Sequence, residues 1–272
     1  MTILVTGARG AIARHVVREL RDNGESVRVS SRSGGTVDGV PSVDLTAPDA
    51  LTGVRKVFLY ADPAGAPAFV AAARAAGVEH VVLLSSSTVV MPNAGENPIA
   101  RRHAVVEKAL MESGIPWTFV RPGGFAANAR NWWARSIRAE RVVRTAFPEA
   151  GIAPVHERDM AAVSVRALLD PGHEGASYLL SGPESITQRQ MVEQLAAALG
   201  EPIRLEKVSV EEYRAVVADF LPPDFIEFAL RFYAHWEGAP APVYDGAEKV
   251  LGRPPLPFAA WAAEHTADFR AG

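Results

Sequence analysis

The sequence predicts an α/β fold: a doubly wound parallel sheet followed by a smaller and mostly helical C-terminal lobe. Short apolar runs rich in β-branched residues alternate with segments of helical periodicity as far as residue 121. This alternation is typical of a parallel sheet that helices cover on both faces. Beyond residue 122 the alternation loosens and helical segments dominate. We therefore place one domain at residues 1–150 and a smaller lobe, interleaved with it, at residues 151–272.

The predicted strands are short apolar runs bounded by turn residues. They lie at 3–5, 27–29, 42–45, 57–60, 81–84, 117–120, 177–180 and 203–208. The predicted helices repeat their apolar side chains at the helical period, and the first of them ends at Asn23-Gly24. They lie at 11–23, 67–76, 100–112, 128–145, 158–169, 188–199, 210–219, 224–235 and 258–269. In the first domain, helices therefore connect strands in the way that parallel neighbours require.

The composition excludes several classes of protein. The 28 basic and 31 acidic side chains leave a net charge of −3, so the surface as a whole does not suit nucleic acid. No apolar run approaches the ~18 residues of a membrane span, and the first residues resemble a strand rather than a signal peptide. The chain has no cysteine, and its histidines show no metal-ligand spacing. We expect a cytoplasmic protein that holds no metal and binds neither nucleic acid nor membrane.

A glycine-rich turn follows the first predicted strand and opens the first helix, within residues 6–13. Gly7 permits the tight turn, Gly10 lets backbone N–H groups approach a diphosphate, and Ala13 allows the helix to pack close to the strand. The N-terminus of the helix adds aligned N–H donors. The alternative is a tight turn that binds nothing. We predict a dinucleotide site whose phosphate cradle consists of Gly7, Arg9, Gly10, Ala11 and Ile12.

The end of the second strand indicates the phosphorylated cofactor. A site selective for NAD places Asp or Glu there, whereas this chain has Ser31 and Arg32. A guanidinium pairs with the 2′-phosphate of NADPH, which a carboxylate would repel, and Arg9 can reach the same phosphate. Asp44 is placed to accept from the adenine amino group, or else it caps its own turn. We predict NADPH as the cofactor; the alternative is that both arginines are solvated surface residues.

These residues resemble the NmrA-like family of atypical short-chain dehydrogenase/reductases, and most closely its NADPH-dependent quinone oxidoreductase branch. The resemblance rests on the glycine turn, on Val43-Asp44-Leu45-Thr46 and, most specifically, on the block from His103 to Asn128. Later matches at 159–161, 180–184 and 251–254 extend it over nearly the whole chain. It implies a Rossmann-type domain with NADPH across the strand C-termini, and a small lobe that closes the substrate cleft. The family contains reductases and also redox sensors that bind the dinucleotide without turning it over.

The acid–base pair of the short-chain dehydrogenases proper is absent. Those enzymes use a Tyr whose pKa is lowered by a Lys four residues further on. When the chain is aligned on Glu107, the Lys position holds His103 and the Tyr position holds Ile99, and no tyrosine lies between Ser85 and His103. We predict Ser85 and His103 as the catalytic residues, with Ser85 and Ala61 beside the nicotinamide.

Three functions follow from this absence. A quinone-like or conjugated aromatic carbonyl needs little acid catalysis, so that proximity to NADPH suffices. His103 then holds the nicotinamide ribose or supplies a proton, unless it is a surface histidine without a role. Alternatively, the chain senses NADP(H) and signals to a partner. The third function is a tailoring step in an aromatic natural-product pathway.

Aromatic residues beyond the last strand of the first domain predict the substrate wall. Phe125, Asn128 and Trp132 follow a sheet strand at its C-terminal end, where open α/β folds bind ligands. The rings can stack on a planar substrate that Asn128 orients. Alternatively, Trp132 and Trp133 pack between the two lobes. The expected partner is a small aromatic or quinone-like molecule, and a homodimer is compatible with these features.

Overall fold

The computed structural model describes residues 1–31, 34–47, 49–218 and 222–270. The chain forms two compact units, each built from three stretches of sequence. The first unit comprises Met1–Pro122, Glu157–Leu180 and Gly246–Arg253. The second unit comprises Gly123–His156, Ser181–Asp245 and Pro254–Gly272.

Strands and helices alternate through the first unit and recur irregularly in the second. The strands are β1 (Thr2–Val5), β2 (Ser26–Ser30), β3 (Thr36–Val37), β4 (Val40–Val43), β5 (Lys56–Tyr60), β6 (His80–Leu84), β7 (Trp117–Pro122), β8 (Val142–Thr145), β9 (Gly151–Ile152), β10 (Ala176–Leu180), β11 (Ile186–Thr187) and β12 (Arg204–Lys207). The helices are α1 (Ala11–Asp22), α2 (Ala66–Ala75), α3 (Pro98–Met111), α4 (Asn128–Glu140), α5 (Glu157–Leu169), α6 (Gln188–Leu199), α7 (Val210–Val217), α8 (Pro223–Trp236), α9 (Gly246–Leu251) and α10 (Phe258–Glu264). Short 3-10 helices lie at Ser87–Val90, Ala94–Glu96 and Thr266–Phe269.

The first unit contains an eight-stranded sheet with the order β10-β7-β6-β5-β1-β2-β4-β3. Its neighbours pair in parallel, except for the short antiparallel pair β3 and β4. The order runs outward in both directions from β1, which is the arrangement of a doubly wound Rossmann-type sheet. The predicted fold class is therefore confirmed. The C-terminal ends of β1, β5 and β6 meet at one edge, since Val5 pairs with Phe58 and Tyr60 pairs with Leu84.

Burial explains why these sequences become central strands. All five residues of β6 are buried, and the neighbouring strands contribute Phe58 and Phe119 to the fully buried core. Helix α1 buries Ile12, Val16 and Leu20 at helical spacing and packs on α5. A strand covered on both faces is apolar throughout, which is the pattern that the sequence displays here.

The second unit is mostly helical, as predicted. One apolar cluster joins α4, α6 and α10, with Trp133, Ile137, Leu195 and Trp261 among its buried members. Two small sheets flank it: β8 pairs in parallel with β12, and β9 pairs antiparallel with β11.

The predicted helix over residues 128–145 is wrong in its last turn. Helix α4 ends at Glu140, and Arg141 adopts a left-handed conformation with φ of 54°. The following Val142 and Val143 enter strand β8 instead. Their partner β12 lies about sixty positions later in the sequence, at Arg204–Lys207, so local periodicity could not reveal the pairing.

The unit boundaries also differ from the predicted division at residue 150. The chain leaves the first unit after Pro122, at the end of β7, and returns to it at Glu157. The returning segment forms α5 and β10, and β10 pairs with β7 at the edge of the large sheet. A second return, Gly246–Arg253, packs α9 on α5. The sequence pattern does indicate interleaving, but these crossovers depend on long-range pairing.

A buried histidine at the start of β6 makes stability depend on pH. The hydroxyl of Thr118 donates to the carbonyl oxygen of His173 at 2.6 Å, so His80 Nε2, at 2.9 Å, donates to that hydroxyl. His80 is only 2% exposed. Burial, reinforced by the ammonium of Lys56 and opposed by Glu174, lowers the pKa of His80 to about 4.

We expect the free energy of unfolding to fall as the pH is lowered from about 6.5 to about 4. In that window the unfolded chain takes up a proton at His80 that the folded chain does not, which costs up to about 3 kcal/mol. Urea unfolding at pH 7 and at pH 4.5 measures the loss. His80→Gln keeps a side-chain donor but cannot be protonated. The free energy of unfolding of this variant should therefore fall by less between pH 7 and pH 4.5. Equal losses in both proteins would contradict this assignment.

Candidate functional site

The glycine turn lies between β1 and α1 at the C-terminal edge of the sheet. Gly7 has a positive φ of 60°, and the N–H of Gly10 donates to the carbonyl of Gly7 at 2.8 Å. Gly10 is also the N-cap of α1, where it provides no side chain to cap the first turn. The N–H groups of that turn are therefore aimed at the loop, as an anion requires.

Both glycines lie against the ring of Tyr60, which sequence reasoning missed. A Cβ on Gly7 would lie 2.9 Å from Tyr60 Cδ2, and a Cβ on Gly10 would lie 2.9 Å from the Tyr60 hydroxyl. Side chains at these positions would therefore collide with the ring. Tyr60 is the last residue of β5, which pairs with β1, so the sheet register brings it under the turn. In the sequence, Tyr60 is marked only as a tyrosine at the end of the predicted strand 57–60.

Arg9 connects the glycine turn to the segment after β2. Its Nη2 donates to the carbonyl oxygen of Gly34 at 2.8 Å. The N–H of Gly34 donates in turn to the carbonyl of Ser31 at 3.0 Å. The structure therefore brings Arg9 and Ser31 to the same corner of the site. Arg32, the predicted partner of a 2′-phosphate, lies outside the described residues.

Asp44 follows β4 and is exposed. Its Oδ1 accepts from the backbone N–H of Thr46 at 2.9 Å and from the Thr46 hydroxyl at 2.8 Å. These two hydrogen bonds lower the pKa of Asp44. Asp44 thus caps its own turn, which was one of the two predicted roles, and its contact with adenine stays a prediction.

Ala61 and Ser85 come directly after β5 and β6, at the same edge as the glycine turn. The backbone N–H of Ser85 donates to the carbonyl of Val120, and its hydroxyl donates to Glu107 Oε1 at 2.6 Å. Because the Ser85 proton is held by Glu107, only the oxygen lone pairs of Ser85 remain to accept a bond from a carboxamide or a substrate.

Glu107 is the centre of a buried hydrogen-bond network. The sequence analysis used this residue only to align the chain with the family pattern. Its carboxylate is 2% exposed and accepts from Arg121 twice, from Nε at 2.8 Å and from Nη2 at 2.7 Å. The guanidinium also lies over the ring of Phe119, 5.4 Å from its centroid. The network joins the ends of β6 and β7 to α3. Its one signal in the sequence is an acidic residue among the buried positions of α3, beside Val106 and Leu110.

His103 lies one turn before Glu107 on α3 and is half-buried. Its Nδ1 is buried, with no hydrogen-bond partner among the residues that the structure describes. Burial, with a smaller contribution from Arg102, lowers the pKa of His103 to about 4 against the opposing charge of Glu107. An imidazole with this pKa is neutral at pH 7, so it is suited to accepting or donating a hydrogen bond rather than to supplying a proton.

The predicted substrate wall belongs to the second unit. Phe125 bridges to Val155, and the N–H of Asn128 donates to the Phe125 carbonyl at 3.1 Å as α4 begins. Trp132 is half-buried and meets Tyr233 edge-on, with the ring centroids 6.1 Å apart. Trp133 is buried within the core of the second unit. Phe125 thus lies just before α4, Asn128 and Trp132 lie in its first turns, and their contact with a substrate stays a prediction.

The described residues offer neither a metal site nor a membrane span. No cluster of three or more His, Cys, Asp or Glu side chains in this part of the chain could hold a metal ion. No helix there has both the length and the apolar character needed to cross a membrane.

Comparisons with known proteins agree with this geometry. Residues 7–171 match the family model described as NAD(P)H-binding. The (4-alkanoyl-5-oxo-2,5-dihydrofuran-3-yl)methyl phosphate reductase of Streptomyces griseus is 42% identical over 281 residues, covering 98% of this chain and 99% of that protein. The NAD(P)H azoreductase of Xenophilus azovorans is 33% identical over 290 residues, covering 99% of both.

A solved structure supports the fold. The NADPH-dependent quinone oxidoreductase of Escherichia coli, crystallised with NADPH, is similar with a TM-score of 0.77 at 23% identity, covering 96% of this chain and 99% of that one. This likeness shows the fold, and the predicted membership of a family of NAD(P)H-binding reductases is confirmed by the family model and the two relatives above. Residues 7 to 13, with their glycines and a helix whose N-cap residue has no side chain, begin the matched region and suit a dinucleotide. The chain belongs to the NAD(P)H-binding family and is an NAD(P)H-dependent oxidoreductase.

Proposed function

We propose that this chain uses NADPH to reduce electron-poor conjugated acceptors whose hydride adduct is a stabilised anion. Quinone-like and conjugated aromatic carbonyl compounds form one such class. Butenolides that carry a second carbonyl on the double bond form another, and the name of the Streptomyces relative describes such a substrate.

This proposal rests on the absence of the Tyr–Lys acid–base pair. No tyrosine lies between Ser85 and His103, and His103 occupies the lysine position of the family pattern. Burial raises the pKa of Tyr60, the tyrosine at this edge of the sheet, to about 12, which is the opposite of what a general acid needs. A simple ketone would require a proton donor as its alkoxide forms.

Conjugated acceptors avoid that requirement. When bound, the cofactor supplies a hydride. In a quinone the electron pair displaced by the hydride becomes a phenolate. In a 4-acyl butenolide the hydride adds to the ring carbon bearing the phosphorylated methylene, and the pair becomes an enolate shared by the ketone and the lactone. Water can then protonate either anion, so the residues of this chain need only bind and orient the acceptor.

The choice of NADPH over NADH rests on Ser31 and Arg32 after β2 and on Arg9, which contacts Gly34 in the same segment. No carboxylate stands at the position where an NAD-selective site places one. The substrate wall of Phe125, Asn128 and Trp132, the homodimer and the cytoplasmic location belong to the proposal.

Three acceptors test the proposal. Loss of the NADPH absorbance is followed with a benzoquinone, with a 4-acyl butenolide methyl phosphate, and with cyclohexanone as an unconjugated ketone. We expect turnover with at least one of the first two and none with cyclohexanone. Rapid reduction of cyclohexanone would contradict the proposal. Tight NADPH binding without turnover on any acceptor would instead establish a sensor.

Removing the imidazole of His103 tests its role. We expect His103→Ala to lower kcat/KM by about tenfold, the value of one hydrogen bond to the bound reactants, without unfolding the protein. His103→Gln keeps a donor and an acceptor and should recover part of the activity. Circular dichroism and the thermal midpoint control for folding. Full activity in His103→Ala would show that His103 has no role in the reaction.

A further inference from the structure

We propose that Tyr60 is a further cofactor-binding residue, whose hydroxyl donates a hydrogen bond to the diphosphate held by the glycine turn. The inference rests on NADPH binding at that turn. It assigns a ligand contact to a residue outside the glycine pattern and outside the 2′-phosphate corner.

The Tyr60 hydroxyl lies beside the second glycine of the turn. In glycine turns of this kind the second glycine has no Cβ because the diphosphate approaches at that place. In this chain that glycine is Gly10, and a Cβ built on it would lie 2.9 Å from the Tyr60 hydroxyl and 3.3 Å from Tyr60 Cζ. The hydroxyl therefore reaches the space where the diphosphate must approach.

The orientation of the hydroxyl leaves its proton free for a ligand. The backbone N–H of Ala13, in the first turn of α1, lowers the pKa of Tyr60 and so opposes the effect of burial, which means that this N–H faces the phenol oxygen as a donor and takes no proton from it. A hydroxyl that accepts one bond still has one O–H to donate. Because burial raises the pKa of Tyr60 to about 12, this proton is present throughout the physiological range.

The ring itself holds the hydroxyl in place. It packs against Gly7, where a Cβ would meet Cδ2 at 2.9 Å, and meets Phe58 edge-on with the centroids 5.6 Å apart. A donor fixed before the ligand arrives costs little entropy on binding. Tyr60 thus extends the row of donors at the N-terminus of α1 by one side-chain hydroxyl.

Tyr60→Phe tests the proposal, since it keeps the ring on both glycines and removes only the hydroxyl. Calorimetry on the full chain measures the Kd of NADPH and of adenosine 2′-monophosphate, which carries the 2′-phosphate but no diphosphate. We expect the Kd of NADPH to rise about tenfold. The Kd of adenosine 2′-monophosphate should stay within about twofold of the wild-type value, because that ligand cannot reach the hydroxyl.

Tyr178→Phe is the matched control. It removes another phenol hydroxyl of the first unit, one that bonds His173 Nδ1 at 2.7 Å, and it should leave both Kd values unchanged. An unchanged or lower Kd of NADPH in Tyr60→Phe would overturn the proposal, as would equal weakening of both ligands, which indicates a distorted turn. Wild-type turnover of conjugated acceptors is measured separately, so the two proposals can fail independently.

Discussion

Replacing Arg121 with methionine is expected to lower the free energy of unfolding by about 3–5 kcal/mol at pH 7. The guanidinium makes two hydrogen bonds to Glu107, a carboxylate that is only 2% exposed. Methionine keeps most of the side-chain volume over Phe119, but among the described residues it leaves the carboxylate with a hydrogen bond from the Ser85 hydroxyl and no counterion. A buried charge that loses its counterion carries a desolvation cost that nothing offsets.

Denaturant unfolding of three variants separates this cost from a general loss of packing. The double variant Glu107→Gln with Arg121→Met removes both charges, and it should be more stable than Arg121→Met alone. Arg166→Met breaks the exposed i,i+4 pair with Asp170 in the same unit, and it should change stability by less than about 1 kcal/mol. A double variant that is no more stable than the single one would show that the charge of Glu107 is not the cause.

The same network positions Ser85. Its hydroxyl is held by Glu107 at the end of β6, so Arg121 acts on the site through two other side chains. We expect an Arg121 variant that still folds to bind NADPH with altered affinity, although the guanidinium itself pairs with Glu107 and lies over Phe119.

Replacing Arg32 with aspartate is expected to weaken NADPH binding by far more than about tenfold. The change removes the arginine that we propose as a bidentate partner of the 2′-phosphate and puts a repelling carboxylate in its place. NADH has a 2′-hydroxyl there, which a carboxylate accepts from, so the Kd of NADH should hold or fall. The ratio of the two Kd values is therefore the sharpest measure of this role.

Calorimetry with both nucleotides measures that ratio, and Arg74→Asp is the matched control. Arg74 is an exposed residue near the end of α2, so its replacement makes the same change of net charge without a predicted ligand contact. It should leave both Kd values unchanged. An unaltered affinity of Arg32→Asp for NADPH would mean that the 2′-phosphate is bound elsewhere.

The local sequence pattern was sufficient to predict those elements whose conformation depends on the residues of one segment. Strand β6 is apolar at four of five positions because both of its faces are covered, and α1 repeats Ile12, Val16 and Leu20 because one face is covered. The glycine turn joins the two kinds of element and requires a positive φ at Gly7. The fold class, the dinucleotide site and the loss of the Tyr–Lys pair therefore all followed from the residues alone.

Only the tertiary structure revealed what depends on pairing between distant segments. The partner of Val142 and Val143 is a strand beginning at Arg204, the ring under Gly10 comes from β5, and the counterion of Glu107 comes from β7. A strand's partner, a buried ion pair and a close ring contact are set by the folded backbone, which brings together residues that no local period relates. For that reason the kind of cofactor site can be predicted from the residues, whereas the side chains that surround the glycine turn depend on the folded chain.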